Sequence, residues 1–211
     1  MHARYDAVVF DLLTGLIDSW TLWNAVAGDE ETGKRWRHHY LELTYATGDY
    51  QPYEELVIRA ATEQGLGEEL GRRLIARWDE LQPWPEASNV LGRLKDDVQL
   101  AVVTNCSVVL GNKAIEKVGV AFDVAVIAEQ VGAYKPDPRP YQHALEQLNV
   151  TPDRALFVAG SAFDVNGAGR LGMPVFWHNR ARLPRPADGV DALKAEHRLL
   201  TPLVDFVLRD D

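Results

Sequence analysis

The stretch AVVFDLLTGLIDS, residues 7–19, sets four apolar residues before Asp11 and then breaks into a segment carrying Thr14 and Gly15. A short uninterrupted apolar run is the pattern of a strand buried on both faces, and the break marks its carboxyl end. In open α/β sheets ligands bind outside the carboxyl ends of the strands, so a carboxylate at that place is a candidate functional group. A helix cap or a turn explains such an aspartate equally well. The choice between them rests on the residues downstream.

Residues 15–83 show no strand pattern. Ser19–Tyr50 is rich in Trp, Leu and Tyr with charges between, which predicts a helix broken at Gln51 and Pro52. Leu56, Val57, Ala60 and Ala61 predict a second helix from about Tyr53, and Leu70, Leu74, Trp78 and Leu81 a third over Glu68–Leu81. Pro83, Trp84 and Pro85 close the block. From Glu86 helices and strands alternate. Helical apolar spacing at Val90, Leu91 and Leu94 precedes a strand over Val98–Val103, which ends in Thr104 and Asn105. A helix at Ala114–Val118, a strand at Val124–Ile127 and an amphipathic helix through Tyr141, Ala144, Leu145 and Leu148 follow. A strand at Ala155–Ala159, a helix at Ala168–Leu171 and a final strand at Val175–Trp177 complete the series. Such alternation predicts an α/β fold, a doubly wound parallel sheet covered on both faces. Residues 1–14 and 84–211 are expected to form that core, and residues 15–83 an inserted helical domain.

With 211 residues, 46% of them hydrophobic, the chain has material for a full core and a sizeable insertion. A formal net charge of −9 argues against nucleic acid or an anionic membrane surface as partner. Cys106 is the single cysteine, so no internal disulfide forms, and Met1–Asp11 carries no charged-then-apolar leader. No apolar run approaches the ~20 residues that span a bilayer. A soluble, cytoplasmic protein is expected.

Four polar groups follow apolar strands or open the next element: Asp11, the pair Thr104 and Asn105, Lys135 in AYKPDPRPY, and Asp164 in VAGSAFDVNGAG. Singly each has a plain structural explanation. Thr104 and Asn105 suit a helix cap, Lys135 a solvated loop, and Asp164 a helix start favoured by the dipole. As a set they are brought by strand-end placement to one edge of one sheet.

These motifs, in this order and over nearly the whole chain, resemble those of the haloacid dehalogenase superfamily, and within it the type II 2-haloacid dehalogenases. The resemblance implies a Rossmann-like core, a helical cap inserted after the first strand, a nucleophilic aspartate matching Asp11, and a homodimer. Trp36 and Arg37, with Leu41, Glu42 and Thr44, look like the cap segment that carries the dehalogenases' arginine. Lys135 with Tyr141 six residues on matches their pattern, as do Trp177, Asn179 and Arg180. The superfamily's phosphatases place a second aspartate two residues after the nucleophile, where this chain has Leu13. Their fourth motif opens with a glycine and a magnesium-binding aspartate, where this chain has Ala159 and Gly160. Magnesium demands an oxygen-rich octahedron, so a site reduced to Asp11 and Asp164 predicts a reaction without metal or other cofactor.

The expected reaction is hydrolytic dehalogenation of a small 2-halocarboxylate. Asp11 displaces halide to give an ester that water hydrolyses. Lys135 and Arg37 offset the repulsion between Asp11 and an anionic substrate, about 4 kcal/mol at ~4 Å and an effective dielectric of 20. By resemblance Arg37 and Asn105 receive the halide. Thr104 and the amides after it would bind the substrate carboxylate at a helix start, and Asp164 would orient or deprotonate the water. Leu13, Leu41, Tyr53 and Phe163 are candidates for an apolar wall, or for plain packing between cap and core.

The chain departs from the dehalogenase pattern mildly at Thr104, where a serine is usual, and more sharply in four other places. The usual glycine-then-threonine after the nucleophile is reversed as Thr14–Gly15, Leu13 stands for an aromatic, Ala159 for a serine and Ser161 for an asparagine. A phosphatase with an altered metal site, and a catalytically weak relative that only binds small carboxylates, are the alternatives these changes leave open.

Overall fold

The computed structural model describes residues 3–186 and 190–209; Met1 and His2, part of the Met1–Asp11 stretch read above, lie outside them. In chain order the first half runs β1 (Ala7–Phe10), α1 (Ser19–Ala27), α2 (Glu30–Thr47), α3 (Tyr53–Glu63), α4 (Glu68–Ala76), α5 (Ala87–Leu94), β2 (Gln99–Thr104) and α6 (Val108–Val118). The second half runs β3 (Val124–Ile127), α7 (Ala128–Val131), α8 (Pro138–Leu148), β4 (Ala155–Ala159), α9 (Ala162–Arg170), β5 (Val175–His178), β6 (Leu193–His197) and α10 (Pro202–Leu208).

The strands form one sheet in the order β3-β2-β1-β4-β5-β6, every pairing parallel. β1 is central, with Phe10 level with Val102 of β2 on one side and Val158 of β4 on the other. The chain builds outward from β1 to β2 and β3, then returns to β4 on the opposite side. The edge next to β1 is therefore the point where winding reverses and a crevice opens. Asp11 is the first residue past that edge, its amide bonded to the Val158 carbonyl at 3.0 Å.

Side-chain alternation divides the core. Val8, Phe10, Leu100, Val102, Leu156 and Val158 face one cluster, which continues without a break into Trp23, Trp36, Tyr53 and Trp78 of the helical insertion. Ala7, Val9, Ala101, Val103, Phe157 and Ala159 face the other, covered by Tyr141, Ala144, Leu145 and Leu148 of α8 and Val165 and Ala168 of α9. The insertion thus shares a core with the sheet. Five of its aromatics, Trp23, Trp36, Tyr40, Tyr53 and Trp78, are buried there.

The expected α/β architecture is present, with differences that have physical causes. The single helix expected over Ser19–Tyr50 is two, because Asp29 starts a new helix by accepting from the Thr32 amide at 2.8 Å. The third helix stops at Ala76, and Trp78–Glu80 continues as a 3₁₀ turn. Val175–Trp177 is not the final strand: β6 follows it, and its half-buried sequence Leu-Lys-Ala-Glu-His at the sheet edge has no apolar run. Among the described residues no helix is long and apolar enough to cross a membrane.

Candidate active site

Asp11 is held at the β1 edge by donors from its own loop. Its Oδ2 accepts the Thr14 amide at 3.0 Å, the Thr14 hydroxyl at 2.6 Å and the Gly15 amide at 2.9 Å. Gly15 is required for this approach, since a Cβ there would run into the Asp11 carbonyl oxygen. The reversed Thr14–Gly15 order therefore displaces the expected hydroxyl by one residue and still delivers it to the carboxylate. The loop is pinned from behind as well. Trp84 Nε1 donates to the Thr14 carbonyl at 3.0 Å, and buried His178 donates through Nδ1 to the Gly15 carbonyl at 2.9 Å.

Lys135 enters from the loop between α7 and α8, where Asn105 clamps its main chain at both ends. The Lys135 amide donates to Asn105 Oδ1 at 2.7 Å, and Asn105 Nδ2 donates to the Lys135 carbonyl at 2.9 Å. The ammonium lies 2.9 Å from Asp11 Oδ1 and 2.9 Å from Asp164 Oδ1, with 2% of its side chain exposed. Asp164 sits in the first turn of α9 beneath its cap Ser161, whose hydroxyl donates to Asp164 Oδ2 at 3.0 Å.

The electrostatics separate the two carboxyls. Burial alone would raise Asp11, but the Lys135 charge and the Thr14 hydroxyl and amide outweigh it and hold the group below its ordinary value. Burial, reinforced by the Asp11 charge, raises Asp164 above its ordinary value despite Lys135 and Ser161. Neighbouring carboxyls pushed apart in this way take different chemical roles: Asp11 is a ready anion, Asp164 a stronger base.

Arg37 approaches from α2. Its guanidinium stacks 4.3 Å from the Trp20 ring centre and 5.5 Å from that of Trp23, and Nη1 donates to Ser19 Oγ. Among the described residues no carboxylate pairs with it, and its buried Nε has no partner. The Thr104 hydroxyl, also buried, is likewise unpartnered. Both residues line one small cavity with Asp11, Thr14, Asn105, Lys135, Ser161 and Asp164, closed on its apolar side by Leu13, Leu41, Trp20, Tyr40 and Tyr45. A buried arginine without a counter-ion and an unbonded buried hydroxyl beside the same cavity are chemistry that suits an anion.

The remaining expected residues stand one layer back. Tyr141 is buried, with its hydroxyl 3.4 Å from Asp164 Oδ1. Tyr53 packs edge-on between Tyr40 and Trp78, and Phe163 stacks on Tyr45; none of these three lines the cavity. Asn179 bonds Leu183 and Glu196, and Arg180 pairs with Glu86 at 2.8 Å, so this part of the resemblance serves the sheet end rather than the cavity. His39 is engaged by Glu42 and Glu63 on the exposed face of the insertion. Sequence reasoning missed Trp20, Tyr40 and Tyr45 as cavity walls and Thr14 as a hydrogen-bond donor to Asp11. The helical spacing of Tyr45 two turns beyond Arg37 was the available signal.

The model of the haloacid dehalogenase-like hydrolase family matches residues 5–172. The chain belongs to the haloacid dehalogenase-like hydrolases. Among individual relatives it is 32% identical to (S)-2-haloacid dehalogenase 1 of Pseudomonas sp. (strain CBS-3), over 85% of this chain and 86% of that protein. It is 30% identical to (S)-2-haloacid dehalogenase H-109 of Pseudomonas putida, over 83% and 86%. Among solved structures, a dehalogenase with an intermediate complex superposes with a TM-score of 0.86 at 26% identity, each chain covered completely.

Within this family the donor set here does not fit a divalent ion. The Lys135 ammonium already stands between the two carboxylates. Position 160 has no room for the metal-binding aspartate of the phosphatases, because a Cβ there would lie 2.5 Å from the Gly15 nitrogen and 2.6 Å from the Thr14 carbonyl carbon. The Thr14 side chain fills the space that a residue-160 side chain needs, so the reversed loop and Gly160 are one coupled feature. Gly160→Asp is accordingly expected to lower stability by about 2 kcal/mol or more through overpacking. It should also abolish the native activity without creating magnesium-dependent phosphatase activity; thermal melting and p-nitrophenyl phosphate hydrolysis check both.

Proposed function

We propose that this chain hydrolyses the carbon–halogen bond of a small 2-haloalkanoic acid through an ester on Asp11, with no metal. The observation that carries the reading is the two-sided holding of the Asp11 carboxylate. One oxygen sits in a nest of three donors and the other on Lys135, and Asp11 shares its cavity with Arg37, whose Nε has no partner.

On this reading Oδ1 attacks the carbon bearing the halogen. The carbon–halogen bond breaks, and the halide leaves with its electron pair toward Arg37 and the one Asn105 Nδ2 hydrogen not used on Lys135. Thr104 and Arg37 hold the substrate carboxylate. Water then adds to the Asp11 carbonyl carbon, and Oδ2, already facing the Thr14 and Gly15 donors, takes up the negative charge as in an oxyanion hole. Asp164 accepts the water proton and returns it to Oδ1 as the bond between Oδ1 and the Asp11 carbonyl carbon breaks; a 2-hydroxy acid carrying that oxygen leaves, and the regenerated Asp11 carboxyl loses its remaining proton to solvent.

In support of a helical cap, with boundaries after residue 14 and before residue 84, α1 and α2 carry Trp20, Arg37, Tyr40, Leu41 and Tyr45 into the cavity wall. A homodimer and a cytoplasmic location belong to the same reading; a monomer mass by light scattering would overturn the first.

The test is halide release from chloro- and bromo-substituted acetates and 2-propionates with EDTA present, together with one turnover in ¹⁸O-water. Release that survives chelation and leaves one heavy oxygen in the Asp11 peptide is expected. Heavy oxygen found only in the product would mean direct attack by water and overturn the ester.

A further inference from the structure

Tyr45 has no part in the chemistry so far, yet its position is closely defined. It lies on α2 eight residues past Arg37, so the same helix delivers both to the cavity. Its ring stacks on Phe163 of α9 with centroids 4.2 Å apart and planes 30° from parallel. Its hydroxyl is 3.3 Å from Ser161 Oγ. Ser161 has a single hydroxyl hydrogen, and that is given to Asp164 Oδ2 at 3.0 Å. Tyr45 must therefore be the donor in the first contact, and burial, which pushes its phenol well up, keeps the hydrogen in place. The result is a directed chain from the insertion to the base: phenol to serine hydroxyl to carboxylate.

We propose that Tyr45 is a positioning residue for the second half of the reaction, acting through Ser161 to aim and ionise Asp164 for attack of water on the Asp11 ester. The proposal rests on the function assigned above. Hydrogen bonds in series polarise one another, so a donor to Ser161 strengthens what Ser161 gives to the carboxylate. The other oxygen of Asp164 is occupied by Lys135 at 2.9 Å and Tyr141 at 3.4 Å, and Oδ2 is the oxygen the Tyr45 chain controls. Where the dehalogenase pattern has an asparagine at position 161, this chain has a smaller serine, and a tyrosine from the opposite side supplies the second polar group.

The experiment compares the parent with Tyr45→Phe, Ser161→Ala and the double variant by rapid-quench halide release from 2-chloropropionate and by mass of the Asp11 peptide. Tyr45→Phe keeps the stack on Phe163 and removes only the oxygen. Its steady-state rate should fall about tenfold, the size of one hydrogen bond, while first-turnover halide release changes by no more than about twofold, since Asp164 takes no part in displacement. Esterified Asp11 should then accumulate. The acid limb of kcat should move to higher pH, because a carboxylate that loses a donor holds its proton more tightly. The double variant should be no slower than the slower single variant, as members of one chain are not additive. Equal loss in both phases, an unmoved acid limb, or multiplied losses in the double variant would overturn the proposal. A parent that releases no halide in the first turnover would instead overturn the function on which it rests.

Discussion

Asp11→Asn is expected to abolish halide release, by a factor on the order of 10⁴ or more, the scale seen when a covalent nucleophile is removed. The amide is nearly the same shape, so its oxygen can still sit in the nest of the Thr14 and Gly15 donors. The other atom, however, becomes an NH₂ facing the Lys135 ammonium where an oxygen stood 2.9 Å away. Two donors then oppose each other, and Lys135 is left with Asp164 alone. Breaking one arm of this buried arrangement costs about 1–3 kcal/mol, so melting should occur at a lower temperature while the circular dichroism of the fold is retained. Asp11→Ala, which carries no oxygen, serves as the second variant. Halide release above about 1% of the parent rate in both would remove Asp11 from the nucleophile's role.

Much of this site was legible because parallel strands end on the same side. Asp11, Thr104 and Asn105 each stand at or just past the end of a strand recognisable as an apolar run, and Asp164 opens the helix after a third. Their meeting follows from the sheet alone. The insertion is a different matter. Arg37, set in the sequence among Lys34, Arg35, His38 and His39, is indistinguishable from a surface arginine except by resemblance, and Tyr40 and Tyr45 read as core aromatics. Helical spacing sets Tyr45 on the side of Arg37, but which side of α2 faces the sheet depends on how the helix is laid across the sheet edge, a tertiary fact. The interplay of Thr14 with Gly160 was hidden for another reason. Read singly, Thr14–Gly15 is a lost hydroxyl and Gly160 a lost aspartate, whereas the packing of positions far apart in sequence makes them one exchange of volume. β6 escaped notice because an edge strand half exposed to solvent needs no apolar run.

Lys135→Met should slow halide release by about 10²–10³-fold at neutral pH, and the form of the loss matters more than its size. The substitution keeps the volume of the chain and takes away the cation between two buried carboxyls. Like charges so close do not both remain ionised, and one takes a proton. Three hydrogen-bond donors favour ionised Asp11, whereas burial already raises Asp164, so the proton goes to Asp164. Asp11 can then still form the ester, slowly, without Lys135 to draw in the substrate anion; in the ester, where Asp11 is neutral, burial with no cation left beside it keeps Asp164 protonated and unable to accept a proton from water. The variant should accumulate ester at neutral pH and regain turnover as pH is raised and Asp164 ionises. Stability should run the other way. A carboxyl whose folded pKa lies above its unfolded value stabilises the fold most at low pH, and that contribution is lost as pH rises through the folded pKa. The variant should therefore melt closer to the parent in mild acid than at neutral pH, where breaking the buried pair costs about 3–5 kcal/mol. A variant with parent-like turnover, or one that loses activity equally at every pH and traps no ester, would show that Lys135 does not govern the ionisation of Asp164. Assignment of the two carboxyls as nucleophile and base would then have to rest on Asp11 alone.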